Sequence, residues 1–357
     1  MNVSDLDYFL PKERIAQFPA QKRDESRLLV YRRSDGSVEH RRFAELDSII
    51  PPGTDFVRND AAVLKARIFA KRPTGGAVEC LLLSPAAEGL WRVMLRPGKK
   101  LPEGSSFGID GLFEARVEEK FPDGQALVKF SLGRHDSVIA LSEEIGAVPL
   151  PPYIERDQRS PAYDRRADNE RYETVYADPS KRVAAAAPTA GLHFTDALCG
   201  RLEAAGSRFH SVTLHVGLGT FQPIKGDSVE NHRMHSEIYE IPAETAEILR
   251  ARRAPITMVG TTSLRASEDF CRKNPELAPG EGYVGSASLF VHPPQRIVSA
   301  DALITNFHLP RSTLMCLVGA FISPGEEWGI GRLKEIYALA ISEGYKFFSY
   351  GDAMLIL

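Results

Sequence analysis

Four short polar segments each follow a predicted strand, and their residue types suit a ligand that carries a ribose or an anionic group. They combine hydroxyls, glycines and histidines, and they lie at residues 188–195, 217–221, 260–265 and 306–313. In open α/β sheets, ligands bind outside the carboxyl ends of the strands, and backbone amides at the start of a helix attract anions. These segments are therefore predicted to form one binding site. The alternative left open is an ordinary buried β–α–β unit, whose Thr and Ser residues only cap helices.

The elements that must position these segments are predicted as alternating strands and helices. Residues 183–187 form an apolar run long enough for one buried strand, and 209–216 is predicted as a second strand. Thr195 is predicted to cap a helix between them, because its hydroxyl can accept a hydrogen bond from the first turn. Residues 256–259 and 298–305 are predicted as further strands, each followed by a helix. The common short catalytic motifs are absent from the sequence, so the pattern indicates an α/β enzyme without naming its chemistry.

Residues 63–147 have a different pattern. Short strand-like runs alternate there with evenly spaced turns, several of which contain Gly-Gly or Asp-Gly. This spacing is typical of a small antiparallel barrel or sandwich. The predicted fold class is therefore an α/β main domain with an inserted small antiparallel β-barrel domain. The α/β domain is predicted to be discontinuous, comprising 1–62 and 148–357, with 63–147 as the insert.

Composition narrows the class of protein. The 357 residues are 43% hydrophobic and 25% charged with a net charge of −3, which is typical of a soluble globular protein. No run approaches the roughly 18 apolar residues of a membrane helix, and the acidic start lacks a signal peptide, so a cytoplasmic location is expected. The four cysteines lack zinc-site spacing and are predicted to be free thiols. Nucleic-acid binding, if present, must depend on local basic patches.

Six motifs resemble those of the S-adenosylmethionine:tRNA ribosyltransferase-isomerase family, which acts in queuosine biosynthesis. The resemblance extends along the whole chain in the family's order, and it implies an α/β domain with an inserted β-barrel. The motifs are APTAGLHFT at 187–195, TLHVGLGTF at 213–221, MHSE at 234–237, GTTS at 260–263, DALITNFHLP at 301–310 and GYKFFSYGDAM at 344–354.

The resemblance implies transfer of the ribosyl part of S-adenosylmethionine onto 7-aminomethyl-7-deazaguanine at the tRNA wobble position. The ribose is isomerised to an epoxycyclopentane, which gives epoxyqueuosine, and adenine and methionine leave. The sulfonium acidifies the adjacent ribose methylene, so the cosubstrate supplies the activation and no metal is needed. The implied partners are S-adenosylmethionine and this tRNA, and the chain is expected to be a monomer.

This reaction requires a base, an acid and exclusion of water. Histidine is suited to proton transfer near neutral pH. The candidates for proton transfer are His193, His215 and His308, with Asp301 and Glu237 as carboxylate alternatives. The residues expected to hold S-adenosylmethionine are Thr189, Gly191, Gly217, Gly219, Thr261, Thr262, Ser263, Arg265 and Asn306.

Transfer RNA binding is expected to depend on local basic surface and to weaken steeply with salt. The wobble base must also leave the stacked anticodon loop to be modified. Two surfaces are candidates, one on the insert and one in the charged segment at 156–171. The insert contributes Lys71, Arg72, Lys99 and Lys100.

Two segments depart from the family pattern. Ala61 and Ala62 replace a Thr-Arg pair, and Ala287 and Ser288 replace a Thr-Asp pair. If the lost side chains contact substrate, activity or specificity is altered; if they contact each other, their joint loss is compensated. The departures leave open two alternatives: a divergent S-adenosylmethionine-dependent transferase with another acceptor, and a non-catalytic RNA-binding relative.

Overall fold

The computed structural model describes residues 1–156, 164–215, 224, 226–232, 234 and 236–357, and these form seventeen strands and eight α-helices. The strands are β1 Arg27–Tyr31, β2 Val38–Arg42, β3 Asp55–Asn59, β4 Ala61–Val63, β5 Arg67–Lys71, β6 Ala77–Ala87, β7 Leu90–Arg96, β8 Ser106–Ile109, β9 Phe113–Lys120, β10 Gln125–Leu132, β11 Asp178–Ala184, β12 Arg208–Leu214, β13 Glu237–Ile241, β14 Ile256–Val259, β15 Tyr283–Ala287, β16 Ala302–Asn306 and β17 Ala353–Ile356. The helices are α1 Leu46–Ile49, α2 Val138–Ile145, α3 Arg165–Arg171, α4 Asp196–Ala204, α5 Ala243–Ala251, α6 Gly260–Lys273, α7 Thr313–Ile322 and α8 Gly329–Ser342.

A nine-stranded mixed sheet forms the main body, in the order β15-β13-β12-β3-β14-β16-β17-β1-β2. Its four neighbouring strands β12, β3, β14 and β16 run parallel to one another. Their carboxyl ends therefore meet at one edge of the sheet, and the polar segments after β14 and β16 begin there. The strand expected at 183–187 differs from this arrangement. It is β11, which ends at Ala184 and pairs with β4 in a separate two-stranded sheet.

The strand expected at 298–305 begins four residues later, as β16. The carboxylate of Glu268 on α6 explains this start, because it accepts hydrogen bonds from the backbone N–H groups of Val298 and Ser299 at 2.9 and 3.0 Å. Those groups are therefore satisfied by a helix side chain instead of a neighbouring strand. The prediction of a buried strand here is confirmed, with a later first residue.

A closed six-stranded antiparallel barrel, in the order β10-β7-β6-β5-β8-β9, is the second body. Alternate side chains of its strands are buried, as in the pattern of β7, and form a separate apolar core. The predicted fold class, an α/β domain with an inserted antiparallel barrel, is confirmed. The barrel strands lie within the expected insert, whereas its limits at 63 and 147 stay a prediction. No helix in the described part of the chain is long and apolar enough to cross a membrane.

Candidate active site

A cavity of about 280 Å³ opens at the carboxyl edge of the parallel strands. Three of the four predicted polar segments line it, through residues 188–190, 260–262, 306–310 and 312, and it also includes Tyr153, Phe348 and Ser349. The fourth segment, with Gly217 and Gly219, lies outside the described residues. The volume is just below the range of about 300–1,000 Å³ common for small-molecule sites. The expectation that these segments share one site is thus supported for the three that are described.

The cavity wall formed by the described residues contains no Asp, Glu, Lys or Arg. Its polar groups are neutral hydroxyls, an amide and an imidazole, and its aromatic rings are those of Tyr153, Phe307 and Phe348. Aromatic faces attract cations by the ring quadrupole, and the attraction is strongest where water is excluded. The wall therefore suits a ligand with an apolar ring and a localised positive charge.

A chain of hydrogen bonds runs from the cavity wall into the protein. Thr189 donates from its hydroxyl to Oδ1 of Asn306 at 2.8 Å, and Nδ2 of Asn306 donates to Nε2 of His193 at 3.3 Å. Nδ1 of His193 then donates to the hydroxyl of Ser26 at 2.7 Å, which itself donates to the carbonyl of Arg23 at 3.1 Å. This pattern fixes one neutral tautomer of His193 and one orientation of the Asn306 amide. His193 thus lies behind Asn306, and it is not part of the cavity wall.

His308 does line the cavity. Its Nε2 lies 2.8 Å from the hydroxyl of Thr305, which donates to the carbonyl of Asn306 at 3.4 Å. In the tautomer with its hydrogen on Nε2, the imidazole donates to Thr305, and Nδ1 is the ring nitrogen without a hydrogen. The backbone of His308 is held from both sides, since its N–H donates to Tyr337 Oη at 3.0 Å and its carbonyl accepts from the hydroxyl of Tyr8.

Both buried histidines remain neutral well below their usual titration range. Burial, with a smaller contribution from Arg23, lowers the pKa of His193 to about 4. Burial alone lowers the pKa of His308 to about 3. The cause is the cost of placing a charged imidazolium away from water.

Acid is therefore expected to destabilise the protein as the pH falls from 7 to 5. The unfolded chain, with histidine pKa values of about 6.5, binds more protons in this window than the folded chain does, so the free energy of unfolding falls with pH. His193 and His308 should each contribute a loss of about 2 kcal/mol. Urea denaturation at both pH values measures the loss. The variant His308→Gln should lose about 2 kcal/mol less than the unmodified protein, and equal losses would contradict this account.

Helix α6 begins at the cavity without a capping side chain. The residue at its N-cap is Val259, and Gly260, with a φ of +91°, makes the turn into the helix. Thr261 and Thr262 line the cavity, and the Thr262 hydroxyl is buried without a hydrogen-bond partner in the described structure. The hydroxyl of Ser263 points back and donates to the carbonyl of Val259 at 2.8 Å. The first turn of α6 therefore borders the cavity without a side-chain cap and carries one buried hydroxyl without a described partner, and these two features suit a carboxylate.

The structure does not bring Asp301 to this site. It precedes β16 and so lies at the amino end of that strand, opposite the cavity edge. Its carboxylate accepts a hydrogen bond from the Ile256 N–H at 2.8 Å and pairs with Arg252 at 2.7 Å. These contacts join the starts of β14 and β16. The catalytic role expected for Asp301 stays a prediction, and the described contacts of its carboxylate are with the Ile256 N–H and Arg252.

Three further predicted residues lie outside the cavity wall. Arg265 forms a buried ion pair with Glu237, and burial lowers its pKa to about 10. His215 follows β12, where its Nε2 lies 3.3 Å from a carboxylate oxygen of Glu240. Gly191 packs against Tyr176 instead of the cavity. None of the three lines the cavity, so the contacts with substrate that were expected for them stay predictions.

The residues that depart from the family pattern do not line the cavity either. Ala61 and Ala62 are fully buried in β4, where Ala62 aligns with Arg182 of β11. Ala287 is also fully buried, and it aligns with Glu237 across the β13–β15 pair. These small alanine side chains therefore pack within strands, away from the cavity.

Several wall residues were not anticipated from the sequence. Tyr153 lies in a proline-rich segment to which the sequence analysis assigns no role, yet its hydroxyl is 2.7 Å from that of Ser349. Burial raises its pKa to about 12. Phe348 and Ser349 belong to the family motif at 344–354, which was the signal available for them. Ser26, the partner of His193, carried no signal at all.

An α/β enzyme with an inserted barrel and a cavity at the carboxyl edge of its parallel strands is the class that fold and site define. The chain belongs to the queuosine biosynthesis protein family, whose sequence profile matches residues 3–356.

Individual relatives are similar over the full length. The chain is 43% identical over 360 residues to the S-adenosylmethionine:tRNA ribosyltransferase-isomerase of Thermotoga maritima, with 100% of both chains covered. It is 46% identical over 363 residues to the protein of that name from Anaeromyxobacter sp., covering 100% of this chain and 99% of the relative. The crystal structure of S-adenosylmethionine tRNA ribosyltransferase from Thermotoga maritima matches with a TM-score of 0.54 and 36% identity, covering 99% of this chain and 100% of that one. The predicted enzyme class, a ribosyltransferase-isomerase that forms epoxyqueuosine in tRNA, is confirmed.

Proposed function

We propose that S-adenosylmethionine binds in the cavity with its methionine carboxylate at the start of α6 and its sulfonium against the aromatic rings. One observation carries the proposal: the wall draws on four of the family's motifs, and its groups match the parts of this cosubstrate. The uncapped N–H groups and the hydroxyl of Thr262 suit the carboxylate. Phe307, Phe348 and Tyr153 suit the sulfonium and adenine.

His308 accepts the proton from the ribose methylene next to the sulfonium. It is the histidine on the wall, and its hydrogen bond to Thr305 leaves Nδ1 free to take a proton. The low pKa of His308 does not oppose this step. Removal of the proton converts the sulfonium to a neutral ylide as the imidazole becomes positive, so the buried charge moves and no second charge is created. Burial therefore raises the free energy of the positively charged group both before and after the proton transfer.

Asn306 and Thr189 orient the ribose, and His193 positions Asn306. The hydrogen bond to His193 holds the Asn306 amide with its oxygen toward Thr189, so both groups present defined donors and acceptors to the cavity. After adenine leaves, the amine of 7-aminomethyl-7-deazaguanine attacks the ribosyl carbon, and epoxide closure releases methionine. A fixed orientation of both reactants lowers the entropic part of the barrier.

Thr262→Val is expected to raise KM for S-adenosylmethionine about 5- to 30-fold, the equivalent of about 1–2 kcal/mol for a lost hydrogen bond. The free protein should not lose stability, because the Thr262 hydroxyl has no partner among the described residues to lose. Ser263→Ala is the matched control, since its hydroxyl bonds to the helix start. That variant should keep its KM and lose some stability. An unchanged KM for Thr262→Val would contradict the placement of the methionine carboxylate at this end of the cavity.

The reaction itself is tested by turnover with S-adenosylmethionine and tRNA that carries 7-aminomethyl-7-deazaguanine. Nucleosides from the digested tRNA are weighed by mass spectrometry, and free adenine is measured in parallel. Epoxyqueuosine with an equal amount of adenine supports the proposal. Adenine release without a modified nucleoside would favour a different acceptor, and neither product from folded protein would favour the non-catalytic alternative.

The enzyme is proposed to act in the cytoplasm as a monomer without a metal ion. The hydrogen-bond chain from Thr189 to Ser26 is completed within one chain, which supports a monomeric site. The sulfonium already supplies electrophilic activation, which supports metal-free chemistry. All four cysteines are free, which suits a reducing compartment.

A further inference from the structure

Two arginines, Arg23 and Arg171, are held side by side near the cavity. Arg23 donates to the carbonyl of Glu170, the residue before Arg171, at 3.0 Å. Arg171 donates in turn to the carbonyls of Ala20 and Gln21 at 2.6 and 3.1 Å, just before Arg23. Each guanidinium is thus fixed against the segment that carries the other. Their positions are set by backbone contacts.

Neither arginine forms an ion pair with a carboxylate of the described residues. Burial lowers the pKa of Arg23, and the positive charge of Arg171 lowers it further. The hydroxyl of Tyr350, which is 5% exposed, has no partner in the described structure. Burial and the charge of Asp168 raise the pKa of this hydroxyl, and the charges of Arg156, Arg171 and Arg23 lower it. Two like charges and a free buried hydroxyl in one place cost free energy, and an anion between them offsets that cost.

An exposed aromatic ring, that of Phe18, comes two residues before Ala20, whose carbonyl Arg171 binds. Phe18 is 73% exposed, and the guanidinium of Arg156 lies 4.5 Å from its ring centroid. Arg156 is itself held by Asp168 through two hydrogen bonds of 2.8 and 3.0 Å. Most of the Phe18 ring therefore remains open, in an orientation supported by a fixed cation. Aromatic rings and guanidinium planes of this kind stack the bases of single-stranded nucleic acid.

These groups adjoin the cavity through short connections. Gln17, next to Phe18, donates to the carbonyl of the wall residue Tyr153 at 2.9 Å. Arg23 donates to the carbonyl of Leu192 at 3.2 Å, and Leu192 precedes the positioning residue His193. A nucleic acid bound here would place a neighbouring base within reach of the cavity.

We propose that Phe18, Arg23, Arg156 and Arg171 form an anticodon-loop surface that binds the single-stranded loop of the tRNA substrate. A phosphodiester lies between Arg23 and Arg171, and a base next to the modified nucleotide stacks on Phe18. This inference rests on the proposed function, because it assigns the second substrate of the same site. It favours this surface over the barrel, where twelve Lys and Arg between residues 63 and 147 are nearly balanced by eleven Asp and Glu.

The test compares variants of the full chain in tRNA binding and turnover. Phe18→Ala should raise KM for the tRNA about 5- to 150-fold through loss of stacking, and Phe18→Tyr should restore it. Arg171→Gln should reduce the slope of log affinity against log salt by about 0.7, the value for one phosphate of a single strand. In both variants the effect falls on the tRNA and not on KM for S-adenosylmethionine. The matched control is the double variant Lys99→Gln, Lys100→Gln on the barrel, which should bind tRNA as the unmodified protein does.

The inference is overturned if Phe18→Ala binds tRNA normally, or if the barrel variant is the one that loses affinity and salt slope. Phe18 is exposed, so its variants should fold, and circular dichroism checks this. Turnover by the unmodified protein distinguishes failure of this inference from failure of the proposed function. If it forms epoxyqueuosine while the Phe18 and Arg171 variants bind tRNA normally, only the surface is wrong. If it forms no product, the proposed function has failed instead.

Discussion

His308→Gln is expected to lower kcat by about 10²- to 10⁴-fold, the usual contribution of a general base, while KM for S-adenosylmethionine changes little. Glutamine keeps a donor for the Thr305 hydroxyl but has no basic nitrogen. Adenine release and epoxyqueuosine formation should fall together, because both follow removal of the same proton. Single-turnover measurement of adenine release with saturating substrates is the direct readout.

The other two histidines provide the comparison that makes this result specific. His193→Gln should cost less, about 10-fold, because His193 acts through the orientation of Asn306. His215→Gln should retain near-normal turnover, since the described contacts of His215 are with Glu240 and not with the cavity. A larger loss of turnover for His215→Gln than for His308→Gln would indicate that the general base is His215, at the end of β12.

The barrel was predictable from the sequence because the residues that specify its strands and turns are close together in the chain. In β7 and β9, every second side chain is buried, and Asp-Gly or glycine turns separate the strands. A period of two residues with such turns indicates antiparallel strands without knowledge of distant contacts. The polar segments after β14 and β16 were predictable for a related reason, since parallel strands bring their carboxyl ends to one edge. The segment at 188–190 follows β11, which pairs in a separate sheet, so that reason does not extend to it.

The roles of individual side chains were not predictable in this way. His193 and His308 both follow apolar runs, but only the contact of His193 with Ser26 and Asn306 turns it away from the wall. Those partners are far away in the chain. Asp301 illustrates the same limit, because its contacts at the amino end of β16 are with Arg252 and the Ile256 N–H, more than forty residues earlier in the chain. The sequence pattern predicts which segments meet, and tertiary hydrogen bonds decide which atoms face the ligand.

Gly191→Ala is expected to destabilise the protein by about 1–3 kcal/mol through overpacking and to lower kcat/KM at the same time. A Cβ at this position would lie 1.9 Å from the Tyr176 hydroxyl and 2.9 Å from Cγ2 of Thr174. Tyr176 cannot move aside freely, because the guanidinium of Arg58 lies 4.2 Å from its ring centroid. The short helix Thr189–His193 must shift instead, and it carries two members of the hydrogen-bond chain that faces the cavity.

A second substitution separates this packing role from the substrate contact first expected for Gly191. Tyr176→Phe removes the nearest atom of the clash, and its hydroxyl has no partner to lose in the described structure. In the double variant, part of the lost stability and activity should return, although the ring carbon at 2.8 Å still crowds the new methyl group. Gly200→Ala in α4 is the control, because a Cβ there meets nothing within 4 Å, and it should stabilise the helix by about 1 kcal/mol. Urea denaturation and steady-state kinetics on the four variants measure both effects. Gly191→Ala could instead lose activity while it keeps full stability, and the double variant could show no recovery. That result would support a substrate contact of Gly191 and contradict the packing explanation.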